Sequence, residues 1–202
     1  MMDIISAVSN RLALIVPEAT AMDWHSLLRR GVGVYLEQTM SVHDFMTQAL
    51  GMEADYATNS VPGLFLNGAP VDDWRAERVC GGDEVGMSGT MPGLCGIALR
   101  RSSPISAFRP DLVSRHGGAD GAGGVVTLKM FNFVAKDCFL PVLQRGVIVA
   151  ARSVLEYLDD QGLRLDGCLC VWNGSAIAPA RVREVLAGIE GEVELTVEVQ
   201  AG

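Results

Sequence analysis

The chain has 202 residues, 49% of them hydrophobic, and a formal net charge of −8. That hydrophobic share supplies a packed core and excludes disorder over most of the length, and the acidic balance argues against nonspecific binding to nucleic acid or anionic lipid, which needs clustered Lys and Arg. No apolar run approaches the ~20 residues of a bilayer span, and Met1-Met2-Asp3-Ile4-Ile5 has neither the basic nor the apolar region of a signal peptide, so the expectation is a cytoplasmic protein without membrane contact.

The first expected strand is Arg11–Val16. A short helix or turn then leads to Arg30-Gly31, and a second strand runs over Val32–Glu37. Ser41 reads as a helix N-cap, because its hydroxyl accepts an otherwise orphan backbone N–H, and Gly51 as the helix stop. Phe65-Leu66 leads into Asn67-Gly68, a pair that takes positive φ at both positions and so favours a type I′ hairpin. Asp72-Asp73 beyond it reads as a turn that caps the next segment, and Glu84–Ser88 as a strand.

After a Gly-rich stretch the same order returns. In Val125–Phe131, Val126, Leu128 and Met130 alternate with Thr127, Lys129 and Phe131, the period of a strand. Set side by side without a gap, Leu12–Val32 and Thr127–Val147 bring Leu28 to Leu143, Arg30 to Arg145, Gly31 to Gly146 and Val32 to Val147. Ser41-Val42-His43-Asp44-Phe45-Met46 then matches Ser153-Val154-Leu155-Glu156-Tyr157-Leu158. Phe65-Leu66-Asn67-Gly68 matches Val171-Trp172-Asn173-Gly174, and Asp83-Glu84-Val85 matches Gly191-Glu192-Val193. In the second set, Val147–Ala150 is the strand and Ser153 with Glu156 has capping-box spacing. Gly162 is the helix stop, Pro179–Leu186 reads as a helix with Pro at its start, and Glu192–Val199 alternates one apolar and one acidic face.

The reading is an α+β chain formed by tandem duplication of one small unit. The first repeat covers residues 1–100, a basic and then Gly-rich linker covers 101–124, and the second repeat covers 125–202. The stretch Leu64-Phe65-Leu66-Asn67-Gly68-Ala69-Pro70-Val71, with Gly82-Asp83-Glu84-Val85 after it, resembles the second half of the β-grasp (ubiquitin-like) sulfur-carrier proteins of thiamine and molybdopterin synthesis. The resemblance covers about Val32–Ser88 and more weakly Val147–Val199, and it implies a β-grasp-like unit. A sulfur carrier of that family ends in Gly-Gly, whereas this sequence ends Gln200-Ala201-Gly202 and carries Gly81-Gly82 internally, so the fold is carried over and the activity is not. The alternative topology is ferredoxin-like, from the Val147 strand, the Ser153 helix, the Asn173-Gly174 hairpin, the Pro179 helix and the Val193 strand.

Chemistry is sparse. The five cysteines, Cys80, Cys95, Cys138, Cys168 and Cys170, form no CxxC pair and read as buried thiols. His25, His43 and His116 show no metal-ligand spacing, so no metal site, cofactor or catalytic set is expected. The most unusual stretch is Gly89–Arg101, in which Gly93, Cys95, Gly96, Arg100 and Arg101 combine a turn-rich backbone with two cations. Such a loop can cradle an anion, although a plain connector accounts for it too. The functional expectation is a noncatalytic binding or scaffold protein that meets a protein partner or a copy of itself. The alternative is a small-anion or cofactor site, which leaves an enzyme open, at the Gly89–Arg101 loop between the repeats; a sulfur carrier, which would need an activated C-terminal glycine, ranks behind both.

Overall fold

The computed structural model describes residues 8–89 and 123–200. Its chief feature is one mixed sheet of ten strands, with helices packed on it, so the chain is α+β. In chain order the strands are β1 (Arg11–Val16), β2 (Val32–Leu36), β3 (Met40–Ser41), β4 (Gly63–Leu66), β5 (Ala69–Pro70), β6 (Arg78–Val79), β7 (Glu84–Ser88), β8 (Gly124–Phe131), β9 (Val147–Ala150), β10 (Leu169–Trp172), β11 (Ser175–Ile177) and β12 (Glu192–Val199). The sheet order is β11-β10-β1-β12-β9-β2-β8-β7-β4-β5, and β3 pairs with β6 apart from it.

That order interleaves the halves of the chain. Strand β1 lies between β10 and β12, antiparallel to the first and parallel to the second. Strand β8 lies between β2 and β7, antiparallel to β2 and parallel to β7. Each half thus lends its first strand to the other. Parallel neighbours cannot be joined by a tight turn, so β7 and β8 do not form a hairpin.

The register explains why the alternation is readable in the sequence. Leu12 pairs with Leu195, Leu195 with Val147, Val34 with Val126, and Val85 with Leu128. All of these side chains are buried. Residues in register share a face, so one apolar face runs across the sheet, and each fully buried Leu or Val contributes about 1.5–3 kcal/mol of transfer free energy. Against it pack α1 (Glu18–Ala21) with the 3-10 helix Met22–Arg29, and α4 (Asn132–Gln144). Trp24, Leu27 and Leu28 from the former and Val134, Phe139 and Leu143 from the latter are buried.

The helix starts differ from the sequence expectation in one place. Ser41 caps α2 (Val42–Asp44) as expected: its Oγ accepts from Asp44 N at 3.0 Å and donates to Asp44 Oδ2 at 2.7 Å. That helix continues as a π-turn over Phe45–Ala49 and stops at Gly51, whose φ is +69°. In the second half α5 (Ala151–Asp160) begins two residues before Ser153, which therefore caps nothing. Its first N–H, from Ala151, is satisfied by Gly191 O at 2.8 Å, a tertiary backbone contact that sequence spacing cannot show. Glu156 bonds Arg152 instead of closing a capping box. Two further helices are α3 (Ala54–Asn59), which lies between the expected elements, and α6 (Pro179–Ala187), which starts on Pro179 as expected.

Both Asn-Gly pairs form the expected turns, with φ of +50° and +80° at Asn67-Gly68 and +47° and +81° at Asn173-Gly174. Among the described residues no helix is long and apolar enough to cross a membrane.

Candidate functional site

The ten-stranded sheet is joined across its middle by one strand pair. β2 and β9 meet at Gly33 and Ile148, with no further residue pair in register. Gly33 is required there: a Cβ would stand 2.7 Å from Val125 Cγ1 and 3.0 Å from Ile148 Cβ. Beyond that pair the strands leave a cleft of about 320 Å³. Val34 and Tyr35 of β2 form one wall, Gly146 and Ile148 the other, with Gln48 and Ala49 of the π-turn, Arg145 and Glu194 completing it. The volume lies at the lower end of the range for small-molecule sites, and both halves contribute polar groups, as ligand sites between units commonly require.

The positions of these groups arise from local structure. Arg145 is the C-cap of α4 and precedes Gly146, whose φ of +89° turns the chain into β9. Its guanidinium lies flat on Gly51, so close that a Cβ on that glycine would overlap Arg145 Cζ. A cation there faces the carbonyl end of the helix that stops at Gly51, the end a positive charge stabilises. Arg145 donates to Pro141 O at 3.2 Å, and among the described residues no carboxylate pairs with it. Glu194 projects from β12 where Gly146 leaves room for it: a Cβ on Gly146 would stand 2.9 Å from Glu194 Oε1. Glu194 Oε2 is buried and lies 3.0 Å from Arg11 Nε, a charge contact without an aligned hydrogen bond. Gln48 turns its amide N–H to Asp44 Oδ1 at 3.1 Å, which leaves its oxygen open.

The cleft can bind and orient; its lining among the described residues holds no Ser, Thr, Cys or His. Elsewhere the reactive groups are held by burial. The Cys138 and Cys170 thiols are each pushed up to about 11, chiefly by desolvation, and Cys168 is raised for the same reason. Tyr56, beside Cys138, is raised by burial and by its hydrogen bond to Asp137 Oδ2 at 2.7 Å. Tyr157 is raised by burial while its hydroxyl bridges Ser26 Oγ, 2.8 Å away, and Asp23 O. Asp83 is fully buried and takes hydrogen bonds from Cys80 N, Cys80 Sγ and Asn67 Nδ2 at 2.9, 3.3 and 2.8 Å. Asp73 accepts from the backbone N–H of Arg75 and Ala76, the turn-capping role expected of the acidic pair. Among the described residues no group of three or more His, Cys, Asp or Glu could hold a metal ion.

Of the Gly89–Arg101 loop only Gly89 belongs to the described residues. Gly93, Cys95, Gly96, Arg100 and Arg101 lie outside the described residues, as does His116. The loop's first residue, Gly89, packs on the Phe133 ring at the start of α4, where a Cβ would overlap Phe133 Cε1. Sequence reasoning does not find the cleft, although Arg145-Gly146 stands in the repeat alignment, because a shared pair reads there as scaffold alone. The difference between the two arginines is that Arg30 pairs with Asp160, while Arg145 shares a cavity lining with the neutral Gln48 and Ala49.

No protein-family model, curated protein or solved structure matches this chain at a significant level.

Proposed function

We propose that the protein is a noncatalytic binding protein, built from two related β-grasp-like units merged into one sheet, whose ligand sits in the cleft between β2 and β9. The observation that carries this reading is the cleft itself: it lies where the halves meet and draws polar groups from both. Duplication is supported by the aligned arginines. Arg30 reaches across to the end of α5, 2.7 Å from Asp160 Oδ2, with its guanidinium 5.3 Å from the centre of the Tyr157 ring. Arg145 reaches across to Gly51 at the end of the first half's helix. Such reciprocal contacts are what a covalent pseudo-dimer makes. The parallel pairs β7 with β8 and β1 with β12 support it too, since each joins the first strand of one half to the last strand of the other.

The test is native mass spectrometry of the protein isolated from cell extract, beside an Ala49→Trp variant whose indole fills the cleft. A small-molecule adduct carried by the wild type and lost from a folded Ala49→Trp variant is the expected result. An adduct that persists in the variant, or no adduct from any extract, overturns the reading.

A further inference from the structure

We infer that the cleft binds a compact oxyanion, a carboxylate or phosphate group, with Arg145 as its anchor; the inference rests on the binding role proposed above and names its ligand class. The two arginines that the repeat alignment equates have different surroundings. Arg30 is neutralised within the protein by Asp160, 2.7 Å away, and stacks over Tyr157. Extending the matched block from Tyr157 and Phe45 by three residues sets Asp160 against Gln48.

Counting back instead from the two glycine stops, Gly162 with φ of +59° and Gly51 with φ of +69°, sets Asp160 against Ala49. The two counts differ because the first half has one residue more between its serine and its glycine, which the π-turn Phe45–Ala49 absorbs. Either way the counter-ion is replaced by a neutral residue, and both Gln48 and Ala49 line the cleft. The result is a cation held in place against Gly51 that, among the described residues, has one hydrogen bond, to Pro141 O, and open donors beside a cavity.

A guanidinium offers five N–H donors in a planar fork that matches the two oxygens of a carboxylate or phosphate. A ligand oxyanion placed there would take the role that Asp160 plays for Arg30. The other charge on the cleft, Glu194, lies beside Gly146 and is paired with Arg11 at 3.0 Å. The cleft volume of about 320 Å³ admits a small molecule around that group.

The experiment tracks backbone amide shifts of Gln48 and Gly146 in the full chain during titration with inorganic phosphate and, separately, succinate, each against sodium chloride at matched ionic strength. Saturable shifts with at least one oxyanion and none with chloride are expected; phosphate alone indicates a phosphoryl ligand and succinate alone a carboxylate. Ala49→Asp, which restores an internal counter-ion, is expected to weaken binding at least tenfold without lowering Tm. Arg145→Gln is expected to abolish binding and Arg30→Gln to leave it unchanged. Shifts that fail to saturate, that chloride reproduces, or that survive Ala49→Asp overturn the proposal. If extracts yield a neutral adduct in the cleft and neither oxyanion binds, the binding role stands and this inference fails.

Discussion

The two Asn-Gly corners share a turn and differ in what they grip. At the first, Asn67 bonds the neighbouring strand β7: its N–H donates to Glu84 O and its Oδ1 accepts from Glu84 N, both at 2.8 Å. At the second, Asn173 does the same to β1, donating to Arg11 O at 2.9 Å and accepting from Arg11 N at 2.7 Å. The motif thus clasps whichever strand stands beside it: the last strand of its own half in one case, the first strand of the other half in the second. Only the first corner adds a buried carboxylate, Asp83, which ties Asn67 to Cys80. A local signal can therefore specify a turn and leave its partner to the fold.

The largest expected effect comes from removing that carboxylate. Asp83→Ala strips three donors of their acceptor inside the core and should cost about 2–5 kcal/mol, read by chemical denaturation. A cost under about 1 kcal/mol would show that the first corner does not depend on its carboxylate.

Thiol labelling sharpens the same contrast. Cys80 and Cys170 are both buried, and native protein at pH 8 should resist alkylation at each, as mapped by mass spectrometry. Asp83→Ala should open Cys80, whose Sγ donates to Asp83, and leave Cys170 protected, because burial first and the neighbouring Cys168 second hold that thiol at about 11. For such a raised thiol the native stabilisation is complete below its unfolded pKa and is lost as pH rises through about 11. Equal labelling of the two cysteines in the variant would break the comparison.

The turns themselves should behave alike. Gly68 and Gly174 have φ of +80° and +81°, and a Cβ at either would touch nothing within 4 Å. Each Gly→Ala change should then cost roughly 1 kcal/mol, purely from backbone conformation. A gap of more than about 1 kcal/mol between them would mean that the corners differ in the turn as well as in the anchor.

The smallest effects belong to the two serines. Ser41→Ala should cost about 1 kcal/mol through the lost cap, and Ser153→Ala less than about 0.5 kcal/mol. Hydrogen bonds from Ser41 and then His43 hold Asp44 below its usual carboxylate value of 3.8. The stabilisation from that depressed group is present above the unfolded pKa and is lost as pH falls through the folded one. The difference in Tm between wild type and Asp44→Asn should accordingly persist at neutral pH and close under strongly acid conditions; a difference that stays constant would rule out this linkage.

Much of the local structure is legible in the residues. The alternation in Val126, Leu128 and Met130 marks β8, both Asn-Gly pairs mark hairpins, and Gly51 and Gly162 mark helix ends, because each signal depends on neighbours within a few residues. Periodicity says which face of a strand is buried and is silent about which strand lies beside it. The placement of β1 between β10 and β12, and of β8 between β2 and β7, therefore belongs to the tertiary structure. So does the start of α5, where Gly191 O takes the place of a serine cap. The cleft is a product of the same level: Arg145, Gln48 and Glu194 are distant in sequence and line one cavity beside the junction of β2 and β9.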